Sequence, residues 1–235
     1  MKPGASQMDQ PLKIALSLFA LLISVIFHEQ MHARVAWWLG DPTGKNDNRL
    51  SWNPIHHIDP FLTVILPVVL YLSAGFVFGG AKPVMINPLN FRNPSLGMCL
   101  SAAAGPLSNF FLALVGFVAC VGLYHSIPST IVAEGALTWN GFFFISFIFI
   151  NVVLGAFNIL PLPGLDGSRI LRHFLPRNLR PMLDAIEPYA LFITMVLVFL
   201  GASRVIVPIL GLVALALSGA MGPGFDDALR MSLGR

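Results

Sequence analysis

Charge is scarce in this sequence. Of its 235 residues only 11% are Asp, Glu, Lys or Arg, whereas a soluble domain carries about 25%. Hydrophobic residues make up 56%, which leaves no room for a sizeable soluble domain and reads as a polytopic membrane protein. The net charge of +3 is small and scattered, so the basic stripe of a nucleic-acid-binding chain is absent. Cysteine is almost missing too. Cys99 and Cys120 fall in one apolar run; on a single helix they stand roughly 31 Å apart along the axis, beyond the reach of a disulfide. They read as packing residues and say nothing of redox compartment. Residues 1–11 are polar and irregular. The apolar run behind them is longer than a signal-peptide core, so it is expected to remain in the mature chain.

The apolar runs set the expected architecture. The first, 12–39, ends at Gly40-Asp41-Pro42, with Trp37 and Trp38 marking an interface. The run 61–78 carries no charge but contains Pro67 and Gly75, which permit a break. The runs 96–124 and 139–160 follow, with a loop over 125–138 between them. The last, 188–220, has 33 residues, more than the ~20 needed to cross a bilayer; it is one tilted helix or a hairpin of two short ones, and the hairpin is favoured. Two short stretches, 49–52 and the proline-bounded 82–88, are candidate strands. The expected fold class is an all-α polytopic bundle of about five or six apolar segments. Strand-like or re-entrant elements stand between its first and middle core helices, and 12–220 forms one domain between tails 1–11 and 221–235.

Within the first run sits His28-Glu29-Gln30-Met31-His32. Ionisable side chains at membrane depth are costly and mark function by default. On a helix His28 and His32 lie one turn apart on one face, where both imidazoles can bind a single metal ion. Glu29 is about 100° round the helix from His28, near the metal and free to act as a base on water. The plainer reading, two core histidines and a solvated glutamate, fails because hydrocarbon offers them neither water nor cheap partners. A catalytic zinc takes three protein ligands and leaves a position open. Asp166 in Pro161-Leu162-Pro163-Gly164-Leu165-Asp166-Gly167 is the best third candidate; on spacing alone it is equally an ordinary helix-capping aspartate.

His28-Glu29-x-x-His32 together with Asn158-x-x-Pro161-x-Pro163-x-Leu165-Asp166-Gly167 resembles the signature pair of the site-2 protease family of intramembrane zinc metalloproteases. Ala104-Gly105-Pro106-x-x-Asn109 is similar to that family's middle-helix motif. Asn53-Pro54-x-x-His57-Ile58-Asp59-Pro60 and Lys82-Pro83-Val84-x-x-Asn87-Pro88 are similar to linker motifs of its small bacterial members. The resemblance covers roughly residues 20–185. It implies one Zn2+ per chain held by His28, His32 and Asp166, with Glu29 as general base. It also implies that Asn158, Asn109 and His57 bind substrate or support the site. Gln30 and Met31 depart from the family's pattern, an aromatic or aliphatic residue followed by a small one; they are expected to alter packing and not chemistry.

The reading that follows is a metalloendopeptidase that cuts membrane-anchored protein substrates within or near the lipid bilayer, in regulated intramembrane proteolysis. It is expected to be multi-pass in a bacterial plasma membrane, with its site nearer the cytosolic face. Ligands at one depth near the C-terminal ends of two helices require those helices to run parallel, so a re-entrant 61–78 is preferred to a spanning one. Short-loop charge puts eight Lys and Arg on one side against Lys2 and Lys13 in either version and does not decide between them. The alternatives are a metal-ion transporter, a prenyl-protein type of membrane peptidase, or a catalytically inactive zinc-binding relative. The uncharged runs 61–78 and 96–124 speak against the first. The lack of a motif around Glu134 or Glu187 speaks against the second, and the intact Glu29 against the third.

Overall fold

The computed structural model describes residues 9–66, 69 and 80–232. Three helices are long and apolar enough to cross a membrane: α1 (Gln10–Trp38), α3 (Pro94–Ser126) and α4 (Trp139–Asn158). Short helices fill the intervals: α2 (Thr43–Asn46), α5 (Asp166–Phe174), α6 (Arg180–Ile186) and α8 (Pro223–Ser232). A long apolar segment, α7 (Ala190–Met221), leaves helical geometry once, at Gly201 (φ 167°, ψ 19°). This is the stretch for which a single helix and a hairpin were the two expectations. The expected re-entrant run 61–78 begins as one wide helical turn, Pro60–Ile65; beyond Leu66, and apart from Val69, it lies outside the described residues. Between α1 and α4 the described residues hold one membrane-length helix, α3.

The chain forms two compact units: one of the chain up to Ser24, Asn109–Leu154 and the chain from Arg204, the other of Val25–Ser108 and Gly155–Ser203. In the first, the apolar centre comprises Cys120, Ile145 and Ile148 with Leu217, Phe225 and Leu229. Residues 223–232, expected as part of a tail, are thus a helix whose apolar face is buried. The expected loop 125–138 contains a two-stranded hairpin, β1 (Val132–Ala133) and β2 (Ala136–Leu137). Glu134 (φ 52°) and Gly135 (φ 78°) form its turn, the left-handed pair that tight hairpins need. The same unit has a polar core. The Asn109 Nδ2 donates to the Asn151 Oδ1 at 2.8 Å, the Asn151 Nδ2 to the Ser24 Oγ at 2.8 Å, and the Ser24 Oγ to the Ala20 carbonyl at 2.7 Å. One side chain each from α1, α3 and α4 therefore fixes the rotation of all three, as polar groups do where apolar packing alone is indifferent to register.

In the second unit α1 stops at Gly40 (φ 111°). The Gly40 N–H returns to the Trp37 carbonyl and the Asp41 N–H to the Ala36 carbonyl, a left-handed glycine stop. Asp41 is fully buried and fully used: Oδ1 accepts from the Thr43 N–H, the Thr43 hydroxyl and the Asn90 amide, and Oδ2 from the Asn87 N–H. The chain leaving α1 is thereby tied to residues 87–90. The candidate strands 49–52 and 82–88 are not strands; the first is a turn that runs into irregular chain, and the second is irregular up to the helical turn that starts at Pro88. The cause is Arg49, only 2% exposed, whose guanidinium donates to the carbonyls of His56, Lys82 and Pro83. Carbonyls that a ladder would use are taken by a side chain, and Pro83 has no N–H to offer.

Burial would raise the Asp41 pKa, but the donors from Thr43, Asn90 and Asn87 outweigh it and hold the carboxyl below its ordinary range. A depressed folded-state pKa stabilises the fold at every pH above the unfolded value, and the gain is lost as pH falls through the folded one. Asp41→Asn is expected to lower stability by about 1.5–3 kcal/mol at neutral pH. The gap to wild type should narrow only below about pH 4. Thermal melts of both proteins in detergent across pH check this; a gap that closes by pH 6 would contradict it.

Candidate metal centre

The helical period of α1 sets the His28 and His32 side chains one above the other, and their Nε2 atoms are 3.0 Å apart. The third group arrives from a sharp corner. After α4 ends, Pro161 and Pro163 deny the chain backbone donors, Gly164 turns it at φ 83°, and Asp166 opens α5. Gly167 makes that corner possible: a Cβ there would strike the carbonyl oxygens of Ile159 and Leu160, so α5 starts directly on the last carbonyls of the preceding chain. The Asp166 Oδ2 then stands 3.2 Å from each histidine Nε2. All three residues are buried, at 5–7% exposure, and all belong to the same compact unit.

The donor set fits a tetrahedral cation. Ligands about 2.0–2.1 Å from one ion are separated from each other by about 3.3–3.4 Å, close to the spacings found here. The Asp166 Oδ2 is buried and has no hydrogen-bond partner, while it stands 3.2 Å from each histidine Nε2, so it is a polar atom that a shared cation would satisfy. The His32 Nδ1 lies 2.7 Å from the Ser101 carbonyl; it must donate there, which leaves the Nε2 lone pair for a metal. Burial would raise the Asp166 pKa, but the imidazoles of His32 and His28 overcome it and hold the carboxyl well below the usual carboxylate range. Among the described residues this is the one cluster of three metal-binding side chains, where a transport path would need successive stations.

Two contributors carry no signal of their own in the sequence. Gly105 on α3 faces the histidines: a Cβ there would collide with the His32 Cε1 and Nε2 and lie 2.7 Å from the His28 Cε1. Its bare backbone forms a wall of the ligand space. Ser101, one turn earlier on the same helix, supplies the orienting carbonyl. The motif around Gly105 flagged the region, but a role that consists of having no side chain is not readable from residue type.

The remaining candidates fall in different places. Glu29 is half-buried on the turn between the two histidines, and Asn158 is half-buried at the end of α4. Asn109 is fully buried within the polar core of the other unit. His57 is buried but is not among the converging ligand atoms; its Nε2 donates to the Ser51 carbonyl at 2.8 Å. Gln30, the departure within the motif, donates its amide to that same carbonyl at 2.9 Å. Gln30 thus fastens the segment that follows α1 to the helix that carries the histidines.

Gly105→Ala is expected to weaken metal affinity by about 10- to 100-fold while helical content stays the same. Zinc per purified chain beside circular dichroism checks it; full zinc in the variant would remove Gly105 from the wall of the site.

The model of peptidase family M50 matches residues 16–201. A Bacillus subtilis (strain 168) protein named "Putative zinc metalloprotease YwhC" is 40% identical over 195 residues, covering 81% of this chain and 85% of that protein. A Mycolicibacterium smegmatis protein named "Putative zinc metalloprotease Rip2" is 30% identical, covering 78% of this chain and 66% of its own length. A Methanocaldococcus jannaschii protein named "Putative zinc metalloprotease MJ0611" is 31% identical over 158 residues, with 67% and 69% covered. No solved structure matches the chain.

Proposed function

We propose, for a chain that belongs to peptidase family M50 and is a zinc metalloprotease of the membrane, that it hydrolyses peptide bonds of membrane-anchored proteins within or near the bilayer, as a step of regulated intramembrane proteolysis. The observation that carries this is the convergence of two imidazoles on a membrane-length helix with one buried carboxylate. In this reading His28, His32 and Asp166 hold the zinc. Bound there, zinc polarises a scissile carbonyl and acidifies water.

The chain's own residues do the rest. Glu29, one residue from His28 and half-buried, takes the proton of the attacking water and returns it to the leaving amine. Gly105 keeps the reacting space free of side chains, and the Ser101 carbonyl holds His32 in the tautomer that ligates. Asn158, Asn109 and His57 are the further residues that this reading gives a part in supporting the site or meeting the substrate. An α-helical substrate must unwind first, since its carbonyls are hidden in hydrogen bonds. The four arginines that follow Asp166 support a site nearer the cytosolic face, and the bacterial relatives support a bacterial plasma membrane.

Glu29→Gln is expected to keep about one zinc per chain and to lower proteolysis by roughly 10²- to 10⁴-fold. Asp166→Ala should lose both zinc and activity. Mapping new protein termini in membranes of cells making wild type or Glu29→Gln checks the reading. Cuts that depend on Glu29 should fall in or beside apolar spans; cuts confined to soluble loops would overturn the intramembrane assignment.

A further inference from the structure

Residues 159–189 join the end of α4, a helix of membrane-crossing length, to the start of the apolar segment α7. The short helices of this connection are unlike an ordinary solvated link. On α5, Ile170, Leu171 and Phe174 share one arc of the helix, and Arg169, Arg172 and His173 take the opposite one. Large apolar side chains stay uncovered: Phe174 is 73% exposed, Leu179 45% and Met182 68%. Arg177 is exposed among them.

The local charge is not balanced within the protein. Asp166 belongs to the metal cluster. Asp184 is taken by Arg172, which grips it through two hydrogen bonds of 3.0 and 2.9 Å. Outside the metal cluster the acidic side chains of this connection are Asp184, which also acts on Arg180, and Glu187, which acts on Arg172, against the four guanidinium groups of Arg169, Arg172, Arg177 and Arg180. Arg180 also donates to the carbonyls of Leu175 and His173, which holds the turn between α5 and α6 in shape.

We infer that α5, α6 and the turn between them are a docking surface for anionic phospholipid. Water satisfies the arginines but not Phe174, Leu179 and Met182. An uncharged lipid surface satisfies the apolar side chains but leaves the surplus positive charge without a counter-ion. An anionic headgroup above an acyl boundary satisfies both, since guanidinium forks match phosphate oxygens and the apolar side chains enter the interfacial layer. Asp166 is the first residue of α5, so lipid held along this helix also sets the depth of a metal-cluster carboxylate. The inference does not depend on the proteolytic reading, because it rests on surface chemistry and is tested without a substrate.

The test is hydrogen exchange over residues 169–182 of the full-length, zinc-loaded protein, in nanodiscs of phosphatidylcholine alone or with phosphatidylglycerol added. Anionic discs should slow exchange about fivefold for each arginine engaged. The slowing should vanish in high salt and in Arg169→Gln/Arg177→Gln, with zinc content unchanged as proof of fold. If the double variant loses its zinc, Arg177→Gln alone, altered at an exposed position away from the cluster, gives the answer. Equal exchange in the two kinds of disc, or slowing that persists in the variant, overturns the inference.

Discussion

Two imidazoles and a carboxylate, brought to within 3.2 Å of one another at 5–7% exposure, are the constraint to which the second unit answers. Without a shared cation or proton, such a group has no stable reason to exist beside hydrocarbon. Every local oddity nearby can be traced to holding it. Gly167 lets a helix begin on the carbonyls of the preceding chain, Gly105 withdraws its side chain from the ligand space, and Ser101 lends a carbonyl to fix one ring. The surrounding polymer is ordinary apolar helix; the expense is concentrated at a few positions.

Rigidity around that centre comes from polar contacts placed where apolar packing would slide. Asp41, buried and accepting four hydrogen bonds, anchors the exit of α1. Arg49 replaces a strand ladder with three carbonyl contacts of its own. The Ser51 carbonyl receives both Gln30 and His57. In the first unit Ser24, Asn109 and Asn151 do comparable work between helices. Asp41, Arg49, Ser24 and Asn151 are buried with their polar atoms in hydrogen bonds, and that combination distinguishes a fixing role from a cost.

Much of this was legible beforehand, for identifiable reasons. The His28–His32 spacing equals one helical turn, so local geometry alone pairs the rings. The apolar runs are long enough to mark α1, α3 and α4 within a few residues. Asp166 was ambiguous on spacing, because separation along a chain says nothing about proximity in space; only the resemblance joined it to the histidines. The strand candidates at 49–52 and 82–88 misled because short runs with apolar members imitate a strand, while the decisive contact is the guanidinium of Arg49, which reaches carbonyls far along the chain. The hairpin 132–137 was missed because Glu134-Gly135 is a weaker turn signal than Asn-Gly. The helix 223–232 was missed because its short apolar face stands out only against the partner that covers it.

The ligand cluster also has a biosynthetic consequence. His32 and Asp166 are 134 residues apart (166 − 32), so the histidines enter the membrane long before their carboxylate partner has been translated. During that interval the first helix carries His28 and His32 without the carboxylate. In the proposed reading the three-ligand site can therefore form only once Asp166 has been made and the corner at Gly164–Gly167 has closed.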